Sequence, residues 1–383
     1  MTNEELALLR ETARAFARNE VEPLAQEIDR TEATPQHLID KVAELGFFGV
    51  CVPEEYGGIG GTLEGACTVL EEVAKASPSF AGLLSVQMIL TIRSIVALGN
   101  EEQKQRVLPA AVSGERPIAW SQTEPAGAGN IDAHLTRLTP SGNGFKLNGA
   151  KLFCTQGSAK VVIVMARTKR DDSEGYGAVI VDMDAPGVRV EKYEDKLGWR
   201  GTNTGPLSFS DVDVAPEDIL GDLITGQAAT GWISQAGFIG HSASALGCLE
   251  GMFEKTVAYV KDRNLYGEPM YRLSPIIHNI GDIYAKIEVI RDVVYNAARA
   301  YDQGLTDKAY GSICKAFVCD TVFQATSTLL QMWGGSGIMN STGVNRYFRD
   351  ARAKMVAEGS TEMHTAGLAA TVLDLPSLIL REA

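Results

Sequence analysis

A chain of 383 residues, 45% hydrophobic and 22% charged, has an ordinary globular composition with room for two or three domains. A formal charge of −13, with no basic run or basic, aromatic-studded face, excludes a nucleic-acid partner. The start Met1-Thr2-Asn3-Glu4-Glu5 has no basic segment before an apolar core, and no apolar run reads as membrane-spanning, so the expectation is a cytoplasmic protein, or one from an organelle interior, with no membrane partner.

Residues 1–116 read as helical. Leu6, Leu9, Ala13, Phe16 and Ala17 recur at three- and four-residue steps behind a Thr2/Asn3 cap. Gln36 to Leu45 forms a second helix, stopped at Gly46, and the glycine cluster Gly57 to Gly61 reads as a surface loop. Leu63 to Lys75, Leu83 to Leu98 and Glu101 to Val112 follow as helices. From Pro117 the period shortens to two. Val161 to Ala166, Gly177 to Val181, Val188 to Val190 and Leu207 to Val212 are short and mostly β-branched, and Asn143-Gly144 and Asn148-Gly149 are hairpin-type turns. Residues 117–225 are thus a compact antiparallel β region. The helical period returns with Ile239, Ala243, Leu246, Leu249, Phe253, Val257 and Val260, then with Ile276 to Ala300 and Lys308 to Leu330. Long helices with short links over 226–383 imply an antiparallel four-helix bundle, and the whole an α+β fold.

Metal and common nucleotide signatures are missing. No two of the histidines His37, His134, His241, His278 and His364 have ligand spacing, and Cys51, Cys67, Cys154, Cys248, Cys314 and Cys319 lie scattered in apolar contexts, as reduced, buried thiols do. No GxGxxG follows a strand, and GxxxxGK[ST], HExxH and GxSxG are absent. Four stretches carry chemistry instead. Gln331 precedes Gly334-Gly335-Ser336-Gly337 at a helix end, where glycines free backbone N–H groups for a phosphate, though the same glycines serve a plain helix stop. Glu358-Gly359-Ser360 places a carboxylate on a loop, suited to a base that must reach a substrate or, more simply, to a helix macrodipole. Trp120 to Asn130 runs from a strand into a small-residue turn bearing hydroxyl and amide groups, and Phe153-Cys154-Thr155 puts an aromatic and a hydroxyl on one strand face. Arg263-Asn264-Leu265-Tyr266-Gly267-Glu268-Pro269 closes the long helix.

In this order these motifs resemble the acyl-CoA dehydrogenase family of flavoproteins along essentially the whole chain. The matches are Thr123-Glu124-Pro125, Arg263 with Tyr266-Gly267 and Pro269, Gln331 with Gly334-Gly335 and Gly337, Arg349-Asp350-Ala351, and Glu358-Gly359-Ser360, with weaker support from Leu197 to Gly201. The resemblance implies helical, β-barrel and four-helix domains, FAD held between subunits of a homotetramer, an acyl-CoA substrate and an electron-transfer flavoprotein as partner. It implies that Trp120, Gln122, Thr123 and Gly129 meet the flavin edge, that Phe153 lies against the ring system, and that Thr155 bonds near N5. Arg263, with Tyr266 and Ser274, would reach the pyrophosphate of a neighbouring subunit's FAD, and Gln331, Gly334 and Gly335 its adenylate end. Ser360 and Glu362 would also touch cofactor, and Gly359, Gly129, Gln235 and Phe238 would line the substrate. Glu358 would abstract the α-proton while hydride passes to flavin N5.

The departures cluster on the thioester side. Gly129 and Asn130 stand where the family has Ser and Asp, Gln235 and Phe238 where it has Asp and Arg, and Ser274 where a Gln often follows the Arg263 motif. Phe238 in place of an arginine adds apolar wall beside Glu358, which is expected to raise the carboxyl's pKa. A branched, cyclic or carrier-protein-bound acyl group fits these changes, as do other flavin reactions such as enoyl-thioester reduction or desulfination. Ala81, where dicarboxyl-acyl relatives carry Arg, speaks against a glutaryl-type substrate.

Overall fold

The computed structural model describes residues 1–155, 159–170, 173–223, 226–305 and 309–375. The N-terminal helices are α1 (Asn3–Phe16), α2 (Ala25–Thr31), α3 (Gln36–Glu44), α4 (Leu63–Ala76), α5 (Pro78–Ser85), α6 (Arg93–Leu98) and α7 (Glu101–Val112). Their starts follow the sequence. Thr2 and Glu5 form a capping box on α1, Thr62 accepts from Gly65 N on α4, and Asn100 and Gln103 form a second box on α7.

The sequence predicts no apolar run of membrane-spanning length, and the structure differs. α5 and α6 are joined by wide π-type turns over Val86–Ile92, so Pro78–Leu98 is a single helical run of 21 residues, long and apolar enough by composition to cross a membrane. Two-thirds of its apolar window is buried, 67%, which makes it a core helix.

The sheet holds β1 (Ile118–Ser121), β2 (Arg137–Ser141), β3 (Gly144–Thr155), β4 (Val161–Arg170), β5 (Ser173–Asp182), β6 (Val188–Val190), β7 (Thr204–Val214) and β8 (Ile219–Leu220), in the order β6-β7-β3-β2-β4-β5-β8 with β1 against β4. It is mainly antiparallel, but β1 and β2 each pair parallel with β4, so the sheet is mixed. The β2–β3 hairpin turns next to Asn143, as its sequence signals. Asn148-Gly149 is no turn; it lies inside β3 at a register shift against β7. There Asn148 exchanges two hydrogen bonds with Asp211, at 3.0 and 2.9 Å, which replace ladder bonds the bulge breaks.

The C-terminal helices are α8 (Gly226–Asp262), α9 (Ser274–Asp302), α10 (Tyr310–Met332), α11 (Gly335–Ile338), α12 (Asn345–Val356) and α13 (Thr361–Val372), with the short ribbon β9 (Asn264–Leu265) and β10 (Glu268–Pro269) after α8. The start expected for α10 at Lys308 lies outside the described residues. α13 begins at Thr361, not Thr365, because Ser360 Oγ accepts from Met363 N at 3.2 Å and caps it.

One apolar core joins both helical regions: Leu70 and Val73 of α4 and Leu246 and Leu249 of α8 belong to the same buried cluster. Buried charge ties the layers. Glu71 on α4 is fully buried and accepts from Tyr295 and Arg291 on α9, and Arg10 of α1 reaches both Glu71 at 3.2 Å and Glu72 at 2.9 Å. A buried carboxylate stays charged only with such partners, and they hold Glu71 below its ordinary range despite its burial.

All six thiols are unpaired and buried. Burial pushes Cys51 up to about 11 and Cys154 and Cys314 up to about 12. The thiolate is the reactive species, so a thiol-selective alkylating reagent at neutral pH is expected to label none of the six in the folded protein and all six in guanidinium, counted by intact mass.

Candidate active site

Between α12 and α13 the chain reverses through Glu358 at φ 57° and Gly359 at φ 93°. A glutamate in the left-handed region is strained by roughly 1–2 kcal/mol. The surroundings over-determine the turn. His364 Nε2 donates to the Glu358 carbonyl at 3.0 Å, and Lys315 Nζ, from buried α10, donates to the Gly359 carbonyl at 3.0 Å and the Met355 carbonyl at 3.4 Å. Gly359 is required: a Cβ there would lie 2.2 Å from Met363 Cε and 3.0 Å from His364 Nε2.

This turn aims the Glu358 carboxylate into the protein, with 13% of the side chain exposed. Oε2 is buried without a hydrogen-bond partner, and so is the neighbouring Thr361 Oγ1. The carboxylate rests over a notch in α8, where a Cβ on Gly237 would stand 3.0 Å from Oε2 and 3.8 Å from Leu90 Cδ1. On the other side His241 Nδ1 lies 3.6 Å from Oε1. Beneath are two fully buried lysines, Lys315 and Lys354. Lys354 Nζ donates to Ser244 Oγ at 2.8 Å and sits 5.1 Å over the Trp199 ring.

The electrostatics differ from the expectation drawn from Phe238. Burial would raise the Glu358 carboxyl, but the neighbouring His241 and then the Lys315 and Lys354 ammoniums hold it below its ordinary 4.5. Burial pushes His241 down to about 4. At neutral pH its ring is therefore uncharged, and the ammoniums carry the electrostatic support. The sequence reading looked only at the position an arginine vacated; the compensating cations come from two other helices.

The remaining site residues fall into two groups. At the Glu358 end, a Cβ on Gly129 would meet Met363 Sδ at 3.3 Å, so the small-residue turn after β1 abuts α13. Gln122 Nε2 donates to the Ala128 carbonyl at 3.1 Å and closes that turn, and Thr123 O accepts from Leu152 N at 2.8 Å. Trp120 Nε1 donates to Gln122 Oε1 at 3.4 Å. Phe153 is 61% exposed at φ 53°, on a second β3 register shift, with Thr155 half-buried opposite Thr204. Phe238 packs edge-on against His364, centroids 4.4 Å apart. Gln235 accepts from Gly311 N at 3.0 Å and pins the start of α10. Ser360 caps α13, and Glu362 is exposed on its first turn.

The second group sits at the far end of α8. Arg263 makes no ion pair or side-chain hydrogen bond among the described residues, and Tyr266 is 96% exposed at φ 54°. Trp333 stacks on Tyr259, centroids 4.1 Å apart, and donates to Thr256 Oγ1 at 2.9 Å, which brings exposed Gln331, Gly334 and Gly335 to the same end. Ser274 is exposed at the start of α9. At about 1.5 Å per residue, Arg263 lies roughly 40 Å along α8 from Gly237. The two groups are not one pocket within one chain.

Sequence reasoning missed His241, Lys315, Lys354, Trp199 and His364 as neighbours of Glu358 or of its turn. A signal existed for the lysines: Lys315 stands in an apolar stretch, Cys314-Lys315-Ala316-Phe317-Val318, where a charge is buried only with dedicated partners.

A mixed sheet with its own core, beside two helical regions that share another, and an inward carboxylate on a loop of the C-terminal helices define a class, and comparison with known proteins gives it a name. The chain matches the domain families described as "Acyl-CoA dehydrogenase, N-terminal domain" over residues 3–115, "middle domain" over 119–212 and "C-terminal domain" over 235–373. It is 32% identical over 372 residues to a 3-(aryl)acrylate reductase of Clostridium sporogenes, covering 97% of this chain and 99% of that protein. It superposes with TM-score 0.93 and 30% identity on the butyryl-CoA dehydrogenase of Megasphaera elsdenii, covering 97% and 99% of the two chains. A chain in the structure of the electron transferring flavoprotein of Acidaminococcus fermentans matches as well, at TM-score 0.93, 30% identity, and 97% and 99% coverage. The chain belongs to the acyl-CoA dehydrogenase family and is an oxidoreductase of that flavin-dependent class.

Proposed function

We propose that this protein binds FAD and dehydrogenates an acyl thioester between Cα and Cβ, with Glu358 as the base. The observation that carries the reading is the Glu358 carboxylate: buried, ionised, one oxygen unpartnered, and held by a strained turn beside the Gly129 loop. An unpartnered buried carboxylate oxygen is what a substrate C–H would meet.

The residues fit the cofactor. The closed turn at Gln122 to Ala128 and the exposed Phe153 offer polar groups and an aromatic face at one end. Arg263 and the Gly334 turn, where a Cβ would meet nothing within 4 Å, offer a charged fork and open backbone at the other. Bound flavin would supply a two-electron, hydride-accepting oxidant. Glu358 would take the α-proton, and its own backbone N–H is available to the thioester oxygen. Phe238 and Leu90 give the acyl group apolar walls, which suits a branched or cyclic chain.

Because the two residue groups stand roughly 40 Å apart along α8, a second copy of the chain completes each cofactor site, and a homotetramer is the proposed assembly. Exposed Ile277, Tyr284 and Phe317 on α9 and α10 suit such an interface. An acyl-CoA is the proposed substrate and an electron-transfer flavoprotein the proposed partner; the acidic charge and the Acidaminococcus neighbour support the latter. A reducing compartment, the cytoplasm, suits six free thiols.

Mixing the purified yellow protein with straight, branched and cyclic acyl-CoAs tests this, and at least one is expected to bleach the flavin band within seconds. No bleaching across the panel defeats the reading. The Clostridium relative favours a second reading, reduction of an enoyl substrate at the same site. Product masses two units higher than the enoyl thioester supplied, with a reduced donor present, would select it.

A further inference from the structure

We infer that His241 is the proton partner of Glu358: its Nδ1 receives the proton that the carboxylate takes from substrate and holds it beside the base. This rests on Glu358 being the base.

The tautomer is fixed by the structure. His241 is buried, and its Nε2 lies 3.0 Å from the Lys354 carbonyl. A carbonyl only accepts, so Nε2 carries the hydrogen. In the neutral ring Nδ1 is then a bare lone pair. It has no hydrogen-bond partner and faces Glu358 Oε1 at 3.6 Å, beyond ordinary hydrogen-bond length. Two acceptors face each other with no hydrogen between them. One added proton turns that gap into an O–H···N or N–H···O bond.

No neighbour offers the same. From α13, His364 donates its Nε2 hydrogen to the Glu358 carbonyl, and its Nδ1 faces Ser312 Oγ at 3.3 Å. From α10, Lys315 directs its protons at the Gly359 and Met355 carbonyls. From α12, Lys354 donates to Ser244, and Asp350 accepts from Trp199 N at 2.6 Å. Cys248 on α8 and Cys319 on α10 are held neutral by burial. The Trp199 ring packs tilted against the imidazole, centroids 5.5 Å apart.

The step balances. As the substrate α-C–H bond breaks, a Glu358 oxygen forms an O–H bond. The carboxyl turns about Cγ–Cδ, and that proton passes to Nδ1, leaving carboxylate and imidazolium. Bound flavin would supply the oxidant for the electron pair, so His241 carries only a proton. The proton returns through Glu358 once product departs. Burial opposes the imidazolium and Glu358 favours it, so the two groups titrate as a pair.

Two substitutions separate this role from mere anchoring of α8 to α12. His241→Gln can place an amide N–H where Nε2 was and keep the Lys354 bond, with nothing at the Nδ1 position. His241→Asn places a polar atom at the Nδ1 position and loses the anchor. With holoenzyme and the panel thioester that bleaches flavin fastest, H241Q is expected to lose kcat about 10- to 30-fold at unchanged KM, less than the ~10²–10⁴-fold of a group that takes the proton from substrate directly. H241N, whose amide cannot hold a proton and which loses the Lys354 anchor as well, should be at least as slow as H241Q. Wild-type kcat in H241Q overturns the inference, and so does a loss confined to H241N, which would leave His241 only the anchor to the Lys354 carbonyl. A measurement that needs no variant to fold is ¹⁵N-histidine solid-state NMR of wild-type holoenzyme, in which one buried Nδ1 signal should pass from lone-pair to protonated position after a single turnover with product retained; an unchanged signal overturns it. Glu358→Gln in the same series separates the two failures. Turnover in E358Q removes the base itself, whereas an inert E358Q beside an unaffected H241Q removes only this inference.

Discussion

Glu358→Gln is expected to keep the fold, the flavin and substrate affinity, and to lower the rate of flavin reduction by about 10³-fold, within the range for loss of a general base. Gln matches the carboxylate in shape, and its amide can donate to the lone pair of His241 Nδ1, so the turn at 358 should hold. The rate should fall through kcat with the substrate dissociation constant within a few-fold, read by stopped-flow absorbance. The pH profile gives a second check. A lowered carboxyl pKa means the charged, active form persists as pH falls from 7 past the ordinary value of 4.5. Wild-type flavin reduction should therefore show no acid limb attributable to this group above pH 5. Turnover by E358Q near the wild-type rate would place the base elsewhere.

Gly359→Ala should be nearly as damaging, although it removes no functional group. At φ 93° an alanine is strained, and its Cβ would displace Met363 and press on His364 Nε2, the donor that fixes the Glu358 carbonyl. Displacing a reacting carboxylate by about 1 Å costs on the order of 10²-fold in rate. The strain itself adds roughly 1–2 kcal/mol of destabilisation. The expected result is kcat lowered about 100-fold, with flavin content retained and a melting temperature a few degrees lower by calorimetry. Wild-type kcat in G359A would show that the turn does not set the carboxylate's position. The pair discriminates: E358Q should lose rate without losing stability, and G359A should lose both.

The candidate base was visible in the chain because its setting is local. A carboxylate before glycine and a capping serine reads as a held loop wherever it occurs, and five spaced motifs in one order identified the family. Helix starts were equally local: the caps at Thr2, Thr62 and Asn100 act within three residues of themselves. Asn148-Gly149 misled because its use depends on Asp211, more than sixty residues away and across the sheet. The run Pro78–Leu98 was under-read because wide turns carry the helix through a stretch whose period drifts.

The ionisation of the base was not legible. Phe238 argued for a raised carboxyl pKa, and nothing nearby in the chain argued back. The opposing groups are Lys315 on α10, Lys354 on α12 and His241 on α8, separated by tens of residues and gathered by helix packing alone. Sequence by itself therefore determined the kinds of elements, the loop that bears Glu358 and the family, since capping, periodicity and motif spacing act over a few residues. Tertiary structure decided which charges surround that carboxylate and that the two halves of the cofactor motif set stand at opposite ends of α8. Coulombic and desolvation energies depend on distance through space, which the order of residues along a chain does not specify.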